Sequence, residues 1–389
     1  MNMKLDSVKM ILILLGYIVY FGNMVNVNNH FVDAERVENF SDFEKPQAKI
    51  IKTTHGDTYE CVDFYKQPAF DHPSMKKHLF NYKLRRASSS KRTSNENFGF
   101  LWENGIGCPN GTVPINIVTK DEFLRLSSFS KPRGSWNSSN NQINVGNDQH
   151  HFAVSRTKER KRKRYTGATM VVSINDPKVK YGQTSSSRMH VQFGDDFIQI
   201  GWIVNPKLYH DSKTRSFVYT KAGDNQCYNQ MCSIGIISVR SDFPLGSILG
   251  PPCVRGSKTG SYDTFGLLKD KINGNWWLEF KGVEIGFWPA IRFQHSYAIK
   301  IEWGGEVYSA FMPSPQMGNG HFPDKHPAFD AIIFNITTFD ENYIIDKWVN
   351  NTEIFRDNYH GYNVINGRYG VYSYFPSKHI IYFGGPGNI

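Results

Sequence analysis

Long apolar runs are missing from this 389-residue chain, apart from one that is short. Lys4 and Lys9 precede "MILILLGYIVYFG" (Met10–Gly22), which falls below the roughly 20 residues of a membrane-spanning helix, and polar residues follow from Asn23. It reads as a secretory signal over residues 1–28, with cleavage in the Asn23–Asn29 neighbourhood; a retained anchor is the alternative. Once the signal is removed, no membrane contact is expected. Cysteine is also scarce. None of the five stands with histidine at zinc-ligand spacing, and "H-E-x-x-H" is absent, so no metal and no cofactor are expected. No helix-turn-helix, zinc-finger or RRM-type signature accompanies the net charge of +10, so nucleic acid is not an expected partner. "GNGHFP" is glycine-rich but lacks the strand–helix context of a phosphate loop, which removes a nucleotide site. No repeat of fixed period appears, which argues against a propeller.

What is present leans toward strands. Aromatic residues make up 14% of the chain, with 28 Phe, 20 Tyr and 33 Gly, a composition suited to short strands and turns around a real core. The positive charge is lumpy: Arg156–Arg164, "RTKERKRKR", holds seven basic residues and one acidic one, as a solvated loop or a processing site would. Five Asn-x-Ser/Thr sequons, at Asn39, Asn110, Asn137, Asn335 and Asn350, agree with secretion. In an oxidising compartment, Cys227 and Cys232 of "CYNQMC" can close a small loop, and Cys61 and Cys108 can bridge the early segment. Cys253 is left over.

Residues 29–126 have their own character, with a strand at "TVPINIV" and a capped helix start at Thr119–Glu122. "RRASSSKRTSNEN" (Arg85–Asn97) reads as a mobile loop. Ser127–Gln149 is rich in Ser, Asn and Gly and reads as an accessible linker over 127–149. Residues 150–389 then alternate apolar and polar in about eleven short runs, too many for one open sheet. The expected architecture is all-β, an antiparallel, jelly-roll-like sandwich of two large sheets. "HHFAVSRT" and "YTGATMVVSI" read as a hairpin joined by the basic run. One run raises a question. In "FIQIGWIVNP" (Phe197–Pro206), Ile198, Ile200 and Trp202 share one face, while an amide, Gln199, sits on the other beside a glycine. A buried amide needs partners or costs about 1–3 kcal/mol, so Gln199 is either satisfied in a core or aimed into a cleft.

Several stretches together resemble the neprosin family of secreted plant proteins, which includes glutamic prolyl endopeptidases. "KTTHGDTYECVDFYKQPAFDHPSMKKH" and "CPNGTVPI" are similar to its activation-peptide domain. "YTGATMVVSINDPKV", "IGWIVNPKLYHDSKTRSFVYTKAG", "NGNWWLEF", "GFWPAIRF", "WGGEVYS", "QMGNGHFP" and the closing "YFGGPGN" follow in matching order. The resemblance implies a removable propeptide acting as the protein's own inhibitor, a sandwich peptidase domain, and maturation within 127–149; a cut in the basic run is the alternative. It also implies a peptide or protein substrate, proline-rich among the candidates, and a place outside the cell, in its wall or in the vacuole.

By the same resemblance, two glutamates share the hydrolysis. One closes the "WGGE" strand and is present as Glu306. The other belongs two residues before the Gly-Trp and is here Gln199. An amide cannot act as acid or base near neutrality, but its NH2 can donate to a developing oxyanion. Two readings follow. In one, Glu306 is general base and then acid, and Gln199 binds the oxyanion. In the other, the chain is an inactive binding protein of the cell wall. Glu302 shares Glu306's face, and the Glu306 pKa is expected to rise in a dry cleft lacking its partner. Trp202, Tyr219, Trp303 and His321 are candidate substrate contacts, and the amide and carboxylate are expected on neighbouring strands.

Overall fold

The computed structural model describes residues 49–53, 55–75, 107–117, 131–136, 149–159, 163–257, 259–368 and 379–389. The expected signal, the Arg85–Asn97 loop, the Thr119–Glu122 helix start, Asn39, Asn137 and the middle of the basic run lie outside the described residues. Among those described, no helix is long and apolar enough to cross a membrane. Ala48–Ile389 form one compact unit.

The early strands β1 (Ile50–Lys52), β2 (Thr58–Asp63) and β3 (Thr112–Asn116) form a small antiparallel sheet of their own. Then come β4 (Gln149–Thr157), β5 (Tyr165–Ser173), β6 (Gln183–Phe193) and β7 (Asp196–Val204), followed by a one-turn helix, α1 (Pro206–Tyr209). Next are β8 (Arg215–Ala222), β9 (Asn225–Tyr228), β10 (Ile237–Ser238), β11 (Tyr262–Lys269), β12 (Trp276–Phe280) and β13 (Val283–Trp288). The chain closes with β14 (Lys300–Ser309), β15 (Ala331–Asp340), β16 (Ile345–Asp346), β17 (Thr352–Arg356), β18 (Asn363–Gly367) and β19 (Ile380–Gly384).

Two large sheets result. The front sheet runs β17-β4-β14-β6-β7-β8-β9; the back sheet runs β10-β13-β12-β11-β5-β15-β19-β18, with β16 on the end of β15. Antiparallel pairing throughout makes this the expected all-β sandwich. The alternation in β7 works as read. Ile198, Ile200 and Trp202 turn inward, and the Trp202 indole N–H donates to the Ser173 carbonyl of the back sheet at 2.9 Å. They join Met189, Val191, Ile301 and Trp303 against Met170, Val172, Leu267, Leu278 and Ile333 of the facing sheet. At about 1.5–3 kcal/mol per large apolar side chain, this layer is the main source of stability.

One expected hairpin is absent. β4 pairs with β14 and β17 in the front sheet, whereas β5 pairs with β11 and β15 in the back sheet. The basic run is therefore a crossover between layers. Two apolar runs around a polar loop look alike in sequence whether the chain turns back or changes sheet.

The early segment packs on the back sheet near β10, β12 and β13, where Phe64, Ala69, Met75 and Val113 cluster with Ile237, Trp277 and Phe287. Both ends of the buried Gln67 amide bond the Ser238 backbone, at 2.9 and 2.8 Å. Asp57 takes two bonds from the buried Arg215 guanidinium, at 2.8 and 3.0 Å. Disulfides join Cys61 to Cys108 and Cys227 to Cys232, as expected, and Cys253 is a free thiol. Of the described sequons, Asn110 and Asn350 are exposed and Asn335 is half-buried.

Candidate active site

The outward face of the front sheet carries the polar residues that its inward face excludes. In register across it lie Glu302, Gly304 and Glu306 of β14; Ser186, Arg188 and His190 of β6; and Gln199 and Gly201 of β7. β6 therefore stands between the two expected partners, which are not on neighbouring strands. Their side chains bridge strands roughly 10 Å apart, and Gln199 Nε2 reaches Glu306 Oε2 at 3.1 Å.

Arg188 makes that bridging possible. Its neighbours across both ladders are glycines, Gly304 and Gly201, so the guanidinium can lie along the sheet. A Cβ on Gly201 would meet Ser187 O at 2.2 Å, and one on Gly304 would meet Ala153 O at 2.3 Å. The glycine that puzzled in the sequence is thus imposed by close backbone approach beside a buried arginine. Arg188 Nη2 donates to Glu302 Oε1 at 2.6 Å and its Nε to Glu306 Oε2 at 3.1 Å. A fully buried cation requires such partners.

The amide of Gln199 is oriented by a chain of bonds. Gln192 Nε2 donates to Gly194 O at 2.6 Å, which leaves Gln192 Oε1 to accept from His190 Nε2 at 2.6 Å. That fixes His190 Nδ1 as an acceptor, and Gln199 Nε2 lies 3.1 Å from it. Burial holds the His190 pKa below its usual value, so the ring is neutral. Turned the other way, the Gln199 oxygen would face a carboxylate, a carbonyl and this lone pair. Its Oε1 is buried with no hydrogen-bond partner among the described residues.

A segment read as accessible linker closes the trough. In Lys131–Trp136, "KPRGSW", Pro132, Gly134 and Ser135 are buried. The backbone N–H of Arg133 donates to Glu306 Oε1 at 3.0 Å, while its carbonyl accepts from Gln199 Nε2 at 3.1 Å and lies 3.5 Å from Arg188 Nη2. Ser135 gives its backbone N–H to Glu302 Oε1 at 3.1 Å and its hydroxyl to Glu302 Oε2 at 2.5 Å. Composition marked this stretch as polar; it could not show that the backbone amides find carboxylates.

The Glu306 carboxyl departs from expectation in sign. Burial pushes its pKa up, but the hydrogen bond to His150, the Arg188 charge and the Arg133 N–H outweigh burial and hold it at about 2. His150 Nδ1 lies 3.4 Å from Glu306 Oε1. The sequence reading missed Arg188, His190 and His150. A period-2 reading of "SSSRMHVQF" puts Arg188 and His190 on one strand face, and a cation mid-strand was the available signal.

The other candidates are dispersed. Trp202 and Trp303 belong to the inward face, in the core beneath the site. Tyr219 does stand opposite Gln199 on β8, but within an aromatic wall with Phe197, Phe217 and Tyr228, its hydroxyl given to Gln226. Burial, then the Glu306 charge, raises the Tyr219 pKa, which keeps the phenol neutral. His321 is exposed on a turn, its backbone N–H on Asn319 Oδ1 at 3.2 Å. Among the described residues, no cluster of His, Cys, Asp and Glu has the makings of a metal site.

Comparison with known proteins adds two family models. One, described as Neprosin, matches residues 181–386; the other, described as Neprosin activation peptide, matches residues 50–156 and so includes the closing segment. Among solved structures, the chain is similar to a scytalido-glutamic peptidase crystallised with a peptide-based transition state analog. Identity is 6%, coverage is 61% of this chain and 98% of that one, and the TM-score is 0.32. A Caenorhabditis elegans galectin matches at 8% identity over 43% of this chain and 99% of its own, with a TM-score of 0.21. A Bacteroides ovatus family 16 endo-glucanase matches at 12% identity over 41% and 68%, with a TM-score of 0.22.

Proposed function

Since the chain belongs to the neprosin family, we propose that it is a secreted, proline-directed endopeptidase held shut by residues 131–136 of its own activation segment. The observation that carries this reading is the peptide unit of Arg133. Its N–H is on Glu306 and its C=O on Gln199, while those two side chains lie 3.1 Å apart. Peptide backbone thus already touches both groups. Buried Pro132, immediately before, supports the proline preference.

In this mechanism a water takes the place of the closing segment. Glu306 removes its proton as the oxygen bonds to the scissile carbonyl carbon, and Gln199 Nε2 donates to the oxyanion. Glu306 then returns the proton to the departing nitrogen as the C–N bond breaks. Arg188 keeps the carboxylate ionised and aimed. A base with a pKa of about 2 is weak at neutrality, and losing the Arg133 N–H raises it, so the working range is acidic.

A second reading, a peptide-binding protein without turnover, is favoured by one observation: both Glu306 oxygens are already engaged, by Arg133, Arg188 and Gln199. One experiment separates the two. Acid-treated chain is incubated with a proline-containing peptide. Hydrolysis that falls about 100-fold or more in Glu306→Gln and in Gln199→Ala supports the peptidase. Silence of the unaltered chain, with activity in Gln199→Glu, supports the binder.

A further inference from the structure

The closing segment also records what the trough discriminates at each position beyond the reacting groups. We propose that it is a sequence-reading groove for peptides carrying glycine, then serine, then an aromatic residue, the last two in a tight turn. The inference rests on the reading of the trough as a peptide site and adds its specificity.

The glycine position is set by His190. A Cβ on Gly134 would lie 2.9 Å from His190 Nε2 and 3.1 Å from its Cε1. That ring cannot retreat: Gln192 holds one nitrogen at 2.6 Å, Gln199 faces the other at 3.1 Å, and Phe197 packs on it at 4.6 Å between centroids. Side chains larger than hydrogen are therefore excluded.

The next position is built around a hydroxyl. Ser135 Oγ donates to Glu302 Oε2 at 2.5 Å and accepts from Arg156 Nη1 at 3.1 Å, so its donor and acceptor capacity are both used. Glu302 and Ser135 are fully buried. Alanine would leave a buried carboxylate oxygen and a guanidinium N–H short of a partner, the situation in which polar sites discriminate most strongly.

The third position is cationic. The Trp136 ring lies 5.6 Å from Arg156 Cζ and 5.4 Å from Lys300 Nζ. Arg156 is itself held by Glu353 at 2.9 Å and by the Phe355 ring at 4.4 Å. Two fixed cations beside one ring favour an aromatic face over an aliphatic side chain.

The test uses the full chain carrying Ser135→Glu, which sets a carboxylate against Glu302 and drives the segment out; Gly134→Val is a second opened variant. A labelled Lys-Pro-Arg-Gly-Ser-Trp peptide is titrated by fluorescence anisotropy, and its integrity is followed by mass spectrometry in the same samples. Replacing its Gly by Val or its Ser by Ala is expected to weaken binding at least about tenfold. Replacing Trp by Ala should weaken it about three- to fivefold, and Arg156→Ala should reduce that preference while the Gly-over-Val preference persists. Equal affinities for all four peptides overturn the proposal, as does absence of binding to both variants when each retains its β-sheet circular dichroism. Preference without cleavage keeps this inference and removes the peptidase; cleavage without preference does the reverse.

Discussion

Arg188 is the residue on which the site turns. It is fully buried, flanked by two glycines, and shared between Glu302 and Glu306. Removing it strands two carboxylates in a dry place, so Arg188→Met should cost about 3–5 kcal/mol in denaturant unfolding, with Arg188→Lys recovering part. The pH dependence has a definite direction. Glu306 has a folded pKa of about 2, below its ordinary value of 4.5, so it contributes stability in full above about pH 4.5 and loses it as pH falls toward 2. Hydrogen-exchange protection at the Arg133 amide, which donates to Glu306, should fall over that window. In Arg188→Lys, where the cation is aimed less well, the fall should begin at higher pH. The alternation of β7 was legible to the residue, because a period of two sorts isoleucine and tryptophan from glutamine without tertiary knowledge. The sign of the Glu306 shift was not, because the groups that set it come from β4, β6 and the closing segment, which are distant in sequence.

At the scale of elements, most strands matched runs of alternating residues, from "FIQIGWIV" in β7 to "AIIFNITTF" in β15. "CSIGIISV" gave only Ile237–Ser238, because turn hydrogen bonds hold the residues before it: Gly235 N–H to Cys232 O at 3.0 Å and Ile236 N–H to Asn229 O at 3.4 Å. β16 to β18 are short, largely polar strands that carry little apolar period to read. The Cys61–Cys108 disulfide spans 47 residues and ties β2 to the entry of β3. In the chain-entropy picture, replacing both cysteines by serine should cost about 4 kcal/mol. The loss should appear as an early unfolding step of the small sheet, followed by intrinsic fluorescence and protease sensitivity of residues 49–75, with the sandwich transition little moved.

For the whole molecule, the proposed function makes sandwich, activation segment and closing segment one latch. The early segment is fixed to the back sheet through Gln67 and to β8 of the front sheet through Asp57, while the stretch downstream of it lies over the front-sheet trough. The sequence placed a linker there; occupancy of the trough followed only from three-dimensional register. The most direct measurement is hydrolysis of a proline-containing reporter peptide at about pH 5, where a carboxylate base remains ionised. Three proteins are compared: the unaltered chain, Gly134→Val, and Gly134→Val combined with Glu306→Gln. The account predicts a near-silent unaltered chain, turnover in the single variant, and silence again in the double one. A single variant whose closing segment becomes protease-accessible while the reporter stays intact, or a double variant as active as the single, would contradict it.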